Sequence, residues 1–372
     1  MRIVLAPDGF GGTLSPVAAA RALAAGWATA APQDDLCLVP LSDGGPGFVE
    51  VLAAALPGSR ELRRMVDDPL GRPVEAAMLL DMSTAWVESA AACGLHLLSS
   101  AERDPRRTTT YGVGQLVRAA LDEGATRIVV GLGGSATDDG GAGLLAALGL
   151  TAVDRAGEQL PPGGAALARA DRLEGTPDPR LADVELLAAT DVEAPLLGPT
   201  GATAVFAPQK GARPPDLREL EAALRRWADL LEPALGVRVR NVPGAGAAGG
   251  LGAALLALGA RREPGAALLG DAVRLADQIA GADLVVTGEG TFDATSLTGK
   301  VVSAVAAHAA AAGVPCLVLA GQVRLGPREC AAAGIAGAYA VADRVGLSAA
   351  LANPAGELAR LAGQVAREWS RT

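Results

Sequence analysis

Four carboxylates follow short apolar runs that are typical of buried β-strands. They are Asp8, Asp43, Asp191 and Glu289. A single carboxylate after a strand is ordinarily a cap or a turn residue. Four at one edge of a parallel sheet would form a site for a metal ion or a substrate hydroxyl, because ligands bind at the carboxyl ends of parallel strands.

Acid–base chemistry in this chain falls to carboxylates rather than to histidine. The 372 residues include two histidines, His96 in the apolar stretch GLHLL and His308 in an alanine-rich stretch. Both positions favour packing over catalysis. Aspartate and glutamate are the next most common general acids and bases, so the strand-end carboxylates are the candidates.

The stretch GLGGSATDDGGAG, residues 131–143, places hydroxyl and carboxylate side chains among glycines. It lies between a predicted strand and a predicted helix, where the backbone amides of a glycine loop form an anion site. A tight turn with one capping aspartate is the simpler alternative, but it needs only one glycine and one aspartate. The residues predicted to bind substrate or phosphate here are Gly133, Gly134, Ser135, Thr137 and Asp139.

A second glycine-rich stretch, PGAGAAGGLGAAL, contains the spacing G-x-G-x-x-G at Gly244, Gly246 and Gly249. No strand ending in an acidic residue follows about 20 residues later, as a dinucleotide site requires. An NAD-dependent oxidoreductase is therefore a distant alternative. Two interpretations stay open, a phosphate-binding turn at Gly246 and close packing of a helix.

The chain has only two lysines, and both lie beside glycine. Lys210 occurs in PQKGA and Lys300 in LTGKV. A compact ammonium suits a phosphate or carboxylate ligand, whereas a solvated turn lysine is the alternative. Lys300 closes the stretch GEGTFDATSLTGK, which also holds Glu289 and Asp293. This stretch lacks the glycine and hydroxyl positions of a P-loop.

Strand and helix patterns alternate along the chain, which predicts an α/β fold with a parallel sheet. We expect two domains, a discontinuous one of residues 1–61 and 243–372 and an inserted α/β domain of residues 62–242. The predicted strands are 3–6, 36–41, 72–80, 85–88, 127–130, 185–190, 203–206, 283–287, 315–320 and 337–341, and the predicted helices include 16–29, 48–56, 301–312 and 348–370.

Composition excludes several classes of protein. The net charge is −9 and no basic tract occurs, so we expect no nucleic-acid partner. No run of about 20 apolar residues predicts a membrane span, and the N-terminus lacks a signal-peptide pattern. Four cysteines without metal spacing predict reduced thiols in the cytoplasm. Carboxylates combined with glycine anion loops fit phosphoryl transfer.

Motifs along nearly the whole chain resemble the bacterial glycerate kinase family (type 1). They include APDGFGGTLSP, PLSDGGPGF, TTTYGVGQL, GLGGSATDDGGAG, FAPQKGA and VVTGEGTFDATSLTGK, in this order. The resemblance implies ATP-dependent phosphorylation of D-glycerate, usually to 2-phosphoglycerate, with Mg²⁺. It also implies a flavodoxin-like domain with a second α/β domain inserted into it. The expected partners are ATP and a glycerate-like hydroxy acid, and a homodimer is left open.

The predicted roles combine the residues with this resemblance. Asp191 is the first choice for the base that accepts the proton of the substrate hydroxyl. Asp8, Asp43 and Lys300 are also predicted to be catalytic, and Asp293 to hold Mg²⁺, with Asp8 and Asp43 as alternative metal ligands. The remaining predicted substrate- or phosphate-binding residues are Lys210, Gly246 and Glu289.

The chain departs from the family pattern near the strand ends of the first domain. Gly9 and Gly11 stand where the family usually has serine and lysine. Pro46 replaces a usual glutamate, and Thr291 replaces a usual arginine. Each lost cation removes a charge-assisted contact worth roughly 1.5–3 kcal/mol. A kinase with another substrate and a non-catalytic binding protein therefore stay as alternatives to a glycerate kinase.

Overall fold

The computed structural model describes residues 1–297 and 300–370. Its strands, in chain order, are β1 Arg2–Leu5, β2 Asp35–Leu38, β3 Arg60–Asp67, β4 Pro73–Asp81, β5 Thr84–Glu88, β6 Arg127–Gly131, β7 Leu150–Val153, β8 Arg172–Gly175, β9 Glu185–Ala189, β10 Arg261–Glu263, β11 Leu284–Thr287, β12 Thr291–Phe292, β13 Cys316–Ala320, β14 Gln322–Val323 and β15 Ile335–Ala340.

The helices are α1 Pro16–Ala30, α2 Phe48–Ala55, α3 Ala90–Cys93, α4 Tyr111–Asp122, α5 Ala142–Ala147, α6 Ala202–Phe206, α7 Pro214–Leu235, α8 Ala247–Ala257, α9 Gly265–Ala272, α10 Leu275–Ala280, α11 Val301–Ala312, α12 Pro327–Ala332, α13 Val341–Val345, α14 Leu347–Ala352 and α15 Pro354–Trp369. Among the described residues, none of these helices is both long and apolar enough to span a membrane. The prediction of a mixed α/β fold is confirmed.

The chain forms two compact units. The first comprises residues 1–43, 50–57 and the described residues from 264 onward, and the second comprises residues 44–49 and 58–263. The sequence places residues 243–263 with the first domain, whereas the structure packs them in the second unit. The reason is strand pairing, because β10 extends the sheet of the second unit by pairing in parallel with β9.

The first unit contains a five-stranded parallel sheet in the order β15-β13-β11-β1-β2. Counted within the unit, this is the order 2-1-3-4-5 of flavodoxin-like folds. Strand order reverses between β1 and β11, which therefore form the topological switch point of this sheet. Ligands of such sheets bind outside the carboxyl ends of the strands at that point.

Helix α1 begins as the sequence predicts, because Ser15 accepts a hydrogen bond from the Ala18 amide and Pro16 occupies the first helical position. One face of α1 packs against α15. A Cβ added at Gly26 would lie 1.9 Å from the carbonyl oxygen of Ala359. Only glycine permits this contact, so the first and last long helices of the unit meet backbone to backbone.

The second unit contains a six-stranded mixed sheet in the order β10-β9-β6-β5-β4-β3. Strands β10, β9, β6 and β5 are parallel, and β4 and β3 continue the sheet as an antiparallel meander. Strands β7 and β8 form a separate antiparallel pair. The four parallel strands end at one edge, where the loops described below emerge.

Three local predictions are wrong. The stretch 203–206 is predicted as a strand but belongs to helix α6, because a short apolar run does not distinguish a strand from a helix by periodicity. Strand β3 is absent from the prediction, since its sequence RELRRMVD buries few side chains and is largely polar. The predicted helix 348–370 is two helices, α14 and α15, which are separated at Asn353 before Pro354.

Candidate active site

The loop that follows β6 emerges beside the segment that follows β9. Leu132 donates its amide to the carbonyl of Ala189 at 2.9 Å, which extends the pairing of the two strands by one residue. Thr190 in turn donates to the carbonyl of Glu263 at the end of β10. Asp191 therefore leaves the sheet at the same edge as the predicted anion loop, by which we mean residues 131–143.

Gly133 and Gly134 let another backbone segment approach the anion loop closely. A Cβ at Gly133 would lie 2.5 Å from Cα of Gly45, and a Cβ at Gly134 would lie 2.8 Å from the ring of Pro46. Gly134 also has φ +65°, which disfavours other residues. Pro46, one of the positions at which the chain departs from the family pattern, thus packs directly on the anion loop.

Lys210 is buried under this loop rather than solvated at a turn. Its ammonium donates to Ser135 Oγ at 3.0 Å and to the carbonyl of Thr137 at 2.7 Å, and the residue is 2% exposed. Burial lowers the pKa of Lys210, while the negative charge of Asp138 opposes that shift. These contacts give Lys210 a positioning role beneath the loop.

Asp138 is a buried carboxylate that the sequence prediction omits from the site. Burial raises its pKa to about 6, although Lys210 and a hydrogen bond from Thr203 Oγ1 at 2.8 Å both favour the ionised form. Its Oδ1 has no hydrogen-bond partner among the described residues. A signal was available, because Asp138 stands directly beside the predicted Asp139.

Both carboxylate oxygens of Asp139 accept hydrogen bonds that stabilise the loop. Its carboxylate accepts hydrogen bonds from the Thr110 amide and hydroxyl, both at 2.9 Å, and from the amides of Gly141 and Gly143. These donors include amides at the start of α5, which otherwise lack partners. Burial raises the pKa of Asp139, and these hydrogen bonds oppose the rise. These contacts give Asp139 a structural role in the loop, and its predicted contact with substrate or phosphate stays a prediction.

The glycines of the stretch PGAGAAGG are explained by close packing. A Cβ at Gly249 would lie 1.9 Å from the carbonyl oxygen of Thr137, and the Gly249 carbonyl accepts a hydrogen bond from the Gly140 amide. Gly246 donates its own amide to Ala194, so that amide is already used within the protein. The packing interpretation accounts for Gly246, and the predicted phosphate contact there is not supported by this geometry.

Glu88 is a further strand-end carboxylate that the sequence prediction omits. It ends β5, directly opposite Gly131 of β6, and its carboxylate accepts from the amides of Gly47 and Val49 at 3.1 and 3.3 Å. The apolar run that precedes Glu88 is the same signal that identified Asp8 and Asp191. Its role here is to fix the segment that packs on the anion loop.

In the first unit, Asp8 and Glu289 lie at the switch point between β1 and β11. Asp8 donates its amide to the carbonyl of Gly288 at 2.8 Å, which ties the two loops together. Burial raises the pKa of Asp8 well above its ordinary value, and the negative charge of Asp43 raises it further. The Gly9 amide, which donates to Asp8 at 2.6 Å, opposes this rise.

Glu289 is buried, and its Oε1 has no hydrogen-bond partner among the described residues. Burial raises the pKa of Glu289, while Ser296 and Lys300 favour its ionised form. Asp43 also contributes to the rise. The predicted strand-end carboxylates of this unit therefore influence one another electrostatically, as a shared site requires.

Asp293 and Lys300 both contact Thr295. Asp293 Oδ1 accepts from the Thr295 amide at 2.9 Å and hydroxyl at 2.7 Å, which lowers the pKa of Asp293. Lys300 Nζ donates to the same hydroxyl at 3.2 Å. Within residues 1–297 and 300–370, no group of three or more histidine, cysteine or acidic side chains is placed to hold a metal. The remainder of the predicted motif, residues 298–299, lies outside the described residues.

The glycine-rich turn after Asp8 is open. Gly11 and Gly12 have φ of +53° and +81°, and a Cβ at either would meet no atom within 4 Å. These glycines serve backbone conformation rather than close approach to a neighbouring segment. The space that a lysine at position 11 would occupy is therefore unfilled by other parts of the protein.

With this geometry established, comparison with known proteins decides the family. The sequence model of the glycerate kinase family matches residues 3–370. The chain belongs to the glycerate kinase family. It is 42% identical to a glycerate kinase of Bacillus subtilis strain 168 over 327 residues, which cover 87% of this chain and 85% of that protein.

Two further members of the family support the same conclusion. A glycerate 2-kinase of Escherichia coli K12 is 39% identical over 87% of this chain and 86% of its own. A crystal structure from Salmonella typhimurium LT2, provisionally assigned as glycerate kinase 2, is also 39% identical, with a TM-score of 0.79 over 99% of this chain and 98% of that one. This glycerate kinase family member is therefore an enzyme that transfers a phosphoryl group.

Proposed function

We propose that this kinase transfers the γ-phosphoryl group of ATP to a hydroxyl of D-glycerate and forms 2-phosphoglycerate. The names of the relatives support the substrate, and the name glycerate 2-kinase supports the position. The observation that carries the proposal is the placement of Asp8 and Glu289 at the switch point between β1 and β11, where the Asp8 amide donates to the Gly288 carbonyl at 2.8 Å, because phosphoryl transfer depends on placing and neutralising charge.

The proposed reaction needs a base for the attacking hydroxyl. The 2-hydroxyl oxygen forms a bond to the γ-phosphorus, the bond from that phosphorus to the bridging oxygen breaks, and ADP leaves. Asp191, at the carboxyl edge of the second unit's sheet, is proposed to accept the hydroxyl proton. Lys300 is proposed to bind the phosphates, since a compact ammonium suits an anion. The loop at Ser135 is proposed, separately, to bind substrate or phosphate, since a glycine loop before a helix suits an anion.

We propose that acidic residues of the first unit contribute one or two ligands to a magnesium ion, rather than a complete protein cage. Asp8, Asp43, Glu289 and Asp293 offer oxygen donors, and Glu289 Oε1 is buried without a partner among the described residues. Mg²⁺ is usually held by one or two carboxylates together with substrate phosphates, so a preformed cage is not required. Bound Mg²⁺ supplies neutralisation of the phosphate charge. We propose Asp293 as its protein ligand, with Asp8 and Asp43 as the alternatives.

We also propose a cytoplasmic enzyme whose partners are ATP and a small hydroxy acid, with a homodimer left open. All four cysteines are free and three are buried, which fits a reducing compartment. A second candidate substrate is a different hydroxy acid. The open space at Gly11 favours it, because the usual lysine there would add a cation that this chain lacks.

The test is an ADP-release assay on the full chain with D-glycerate, L-glycerate, glycolate and lactate, with Mg²⁺ present or removed by a chelator. The product is identified by ³¹P NMR. We expect Mg²⁺-dependent turnover that is fastest with D-glycerate and yields the 2-phosphate. Faster turnover of another acid would replace glycerate as the substrate, and the 3-phosphate would overturn the proposed position.

A further inference from the structure

A cavity of about 170 Å³ lies in the first unit, where the loops after β1, β11 and β13 meet helices α13–α15. Gly290 and Gly321 form part of its lining, and their backbones touch, because a Cβ at Gly321 would lie 2.5 Å from the Gly290 carbonyl oxygen. The cavity is thus at the carboxyl edge of the flavodoxin-like sheet, where such sheets bind ligands. Of the features used above, only the open space at Gly11 borders it.

The outer wall of this cavity is apolar and exposed. Leu347 and Leu351 of α14 line it while remaining 49% and 56% exposed, whereas Leu358 of α15 is 1% exposed. Large apolar side chains gain nothing from folding when they stay in water. An exposed apolar wall around a concave site is typical of ligand binding.

The size and chemistry of the cavity indicate a single flat ring system. Pockets that enclose a whole drug-sized ligand measure roughly 300–1,000 Å³, so this one suits a fragment of a larger ligand. Glycerate is small and charged and does not match apolar walls. A purine has apolar faces and ring nitrogens that accept hydrogen bonds, and the Gln322 side-chain amide on the lining is a donor for them.

We propose that this cavity binds the purine base of the phosphoryl donor. The identity of the donor rests on the proposed function, whereas the base site rests on the cavity itself. Leu347 and Leu351 contact the faces of the ring, and Gln322 contacts its edge. The base then lies beside Gly11, on the loop that carries Asp8.

Leu351→Asp tests this site, because a carboxylate in the apolar wall repels both the ring and a nucleotide's negative charge. We expect the KM for ATP and the dissociation constant of adenosine to rise by about tenfold, equivalent to about 1.4 kcal/mol. The matched control is Val345→Asp, which places the same charge at a 37% exposed position on the neighbouring helix and outside the cavity lining. Leu347→Asp is the second variant, and thermal melts check that each variant folds.

Two probes separate the base from the phosphates. Adenosine has the base without phosphates, and tripolyphosphate has the phosphates without the base. We expect Leu351→Asp to weaken adenosine binding, measured by calorimetry, and to leave competitive inhibition by tripolyphosphate within about twofold of the wild type. Equal weakening of tripolyphosphate, or adenosine binding that neither leucine variant changes, would overturn the base site. A wild type that binds adenosine but shows no turnover with any hydroxy acid would instead refute the proposed function and leave the base site standing.

Discussion

Lys210 donates a hydrogen bond from its buried ammonium to the hydroxyl of Ser135 at 3.0 Å. The same ammonium holds the Thr137 carbonyl and lies close enough to Asp138 to influence its pKa. The Lys210 side chain thus holds the middle of the anion loop in place through two hydrogen bonds. The geometry of that loop therefore depends on a buried ammonium group.

We expect Lys210→Met to lower the free energy of unfolding by about 3 kcal/mol, because it leaves Asp138 buried without its countercharge. Chemical denaturation followed by circular dichroism measures this. The matched control is Lys300→Met, at the partly exposed second lysine, where the loss should stay near 0.5 kcal/mol. Equal stability of the Lys210 and Lys300 variants would contradict the buried positioning role.

Asp138→Asn should change how stability depends on pH. The folded-state pKa of Asp138 is raised to about 6 from an ordinary value near 4, so ionising it disfavours the folded state. The protonated Asp138 therefore stabilises the folded wild type at low pH. This stabilisation, up to about 3 kcal/mol, is lost as pH rises from about 4 through about 6. Urea denaturation at pH 4.5 and 7.5 should show the variant gaining on the wild type at the higher pH.

Thr203→Val is the matched control for this pH effect. It removes the hydroxyl that favours the ionised Asp138, so the pKa of Asp138 should rise further. The decline in stability of this variant should then extend to higher pH than that of the wild type. A stability difference between Asp138→Asn and the wild type that is the same at both pH values would show that Asp138 does not titrate with a raised pKa.

Gly249→Ala should destabilise the protein more than Gly236→Ala. Both glycines have nearly the same left-handed φ, +69° and +67°, so each alanine costs about 1–2 kcal/mol in backbone strain. The Gly249 position adds overlap with the Thr137 carbonyl, whereas a Cβ at Gly236 meets nothing within 4 Å. We expect an additional loss of about 1–3 kcal/mol at Gly249, measured by urea denaturation. Similar losses at the two sites would argue against tight packing of these two loops.

Asp191→Asn and Asp139→Asn should separate catalysis from structure. The Asp191 variant should lose about 10²-fold or more in kcat while remaining folded, as expected for a general base. The Asp139 variant should lose about 2 kcal/mol of stability, because an amide group replaces an oxygen that accepts from backbone donors. Full turnover of the Asp191 variant would move the base to another carboxylate.

The strand-end carboxylates were predictable because the signal is local. A short apolar run followed by an acidic residue identifies Asp8, Asp191 and Glu289, and parallel pairing then brings each to a sheet edge. The same signal precedes Glu88, and it is sufficient to identify that residue as well. Whether a carboxylate faces a ligand or its own loop was not predictable, since Asp139 finds its donors at Thr110, far away in sequence.

The environment of Lys210 depends on segments that only the fold brings together. Its sequence neighbours, proline, glutamine and glycine, are typical of an exposed turn, yet the side chain enters the interior beneath Ser135. The glycines around Gly249 are similar, because their spacing matches a dinucleotide motif while their contacts are with the Thr137 loop. Local composition does not encode which distant backbone a glycine must admit.

The backbone contact between Gly26 of α1 and Ala359 of α15 bears on how the chain is made on the ribosome. Strand β1 pairs with β11, and α1 packs on α15, so each of these elements waits for a partner that is synthesised much later than itself. At about 5–20 residues per second, the wait is on the order of tens of seconds. The residues of the second unit are synthesised before β11, so this unit can fold first. During that time, the β1–α1 segment must remain soluble without its partner strand.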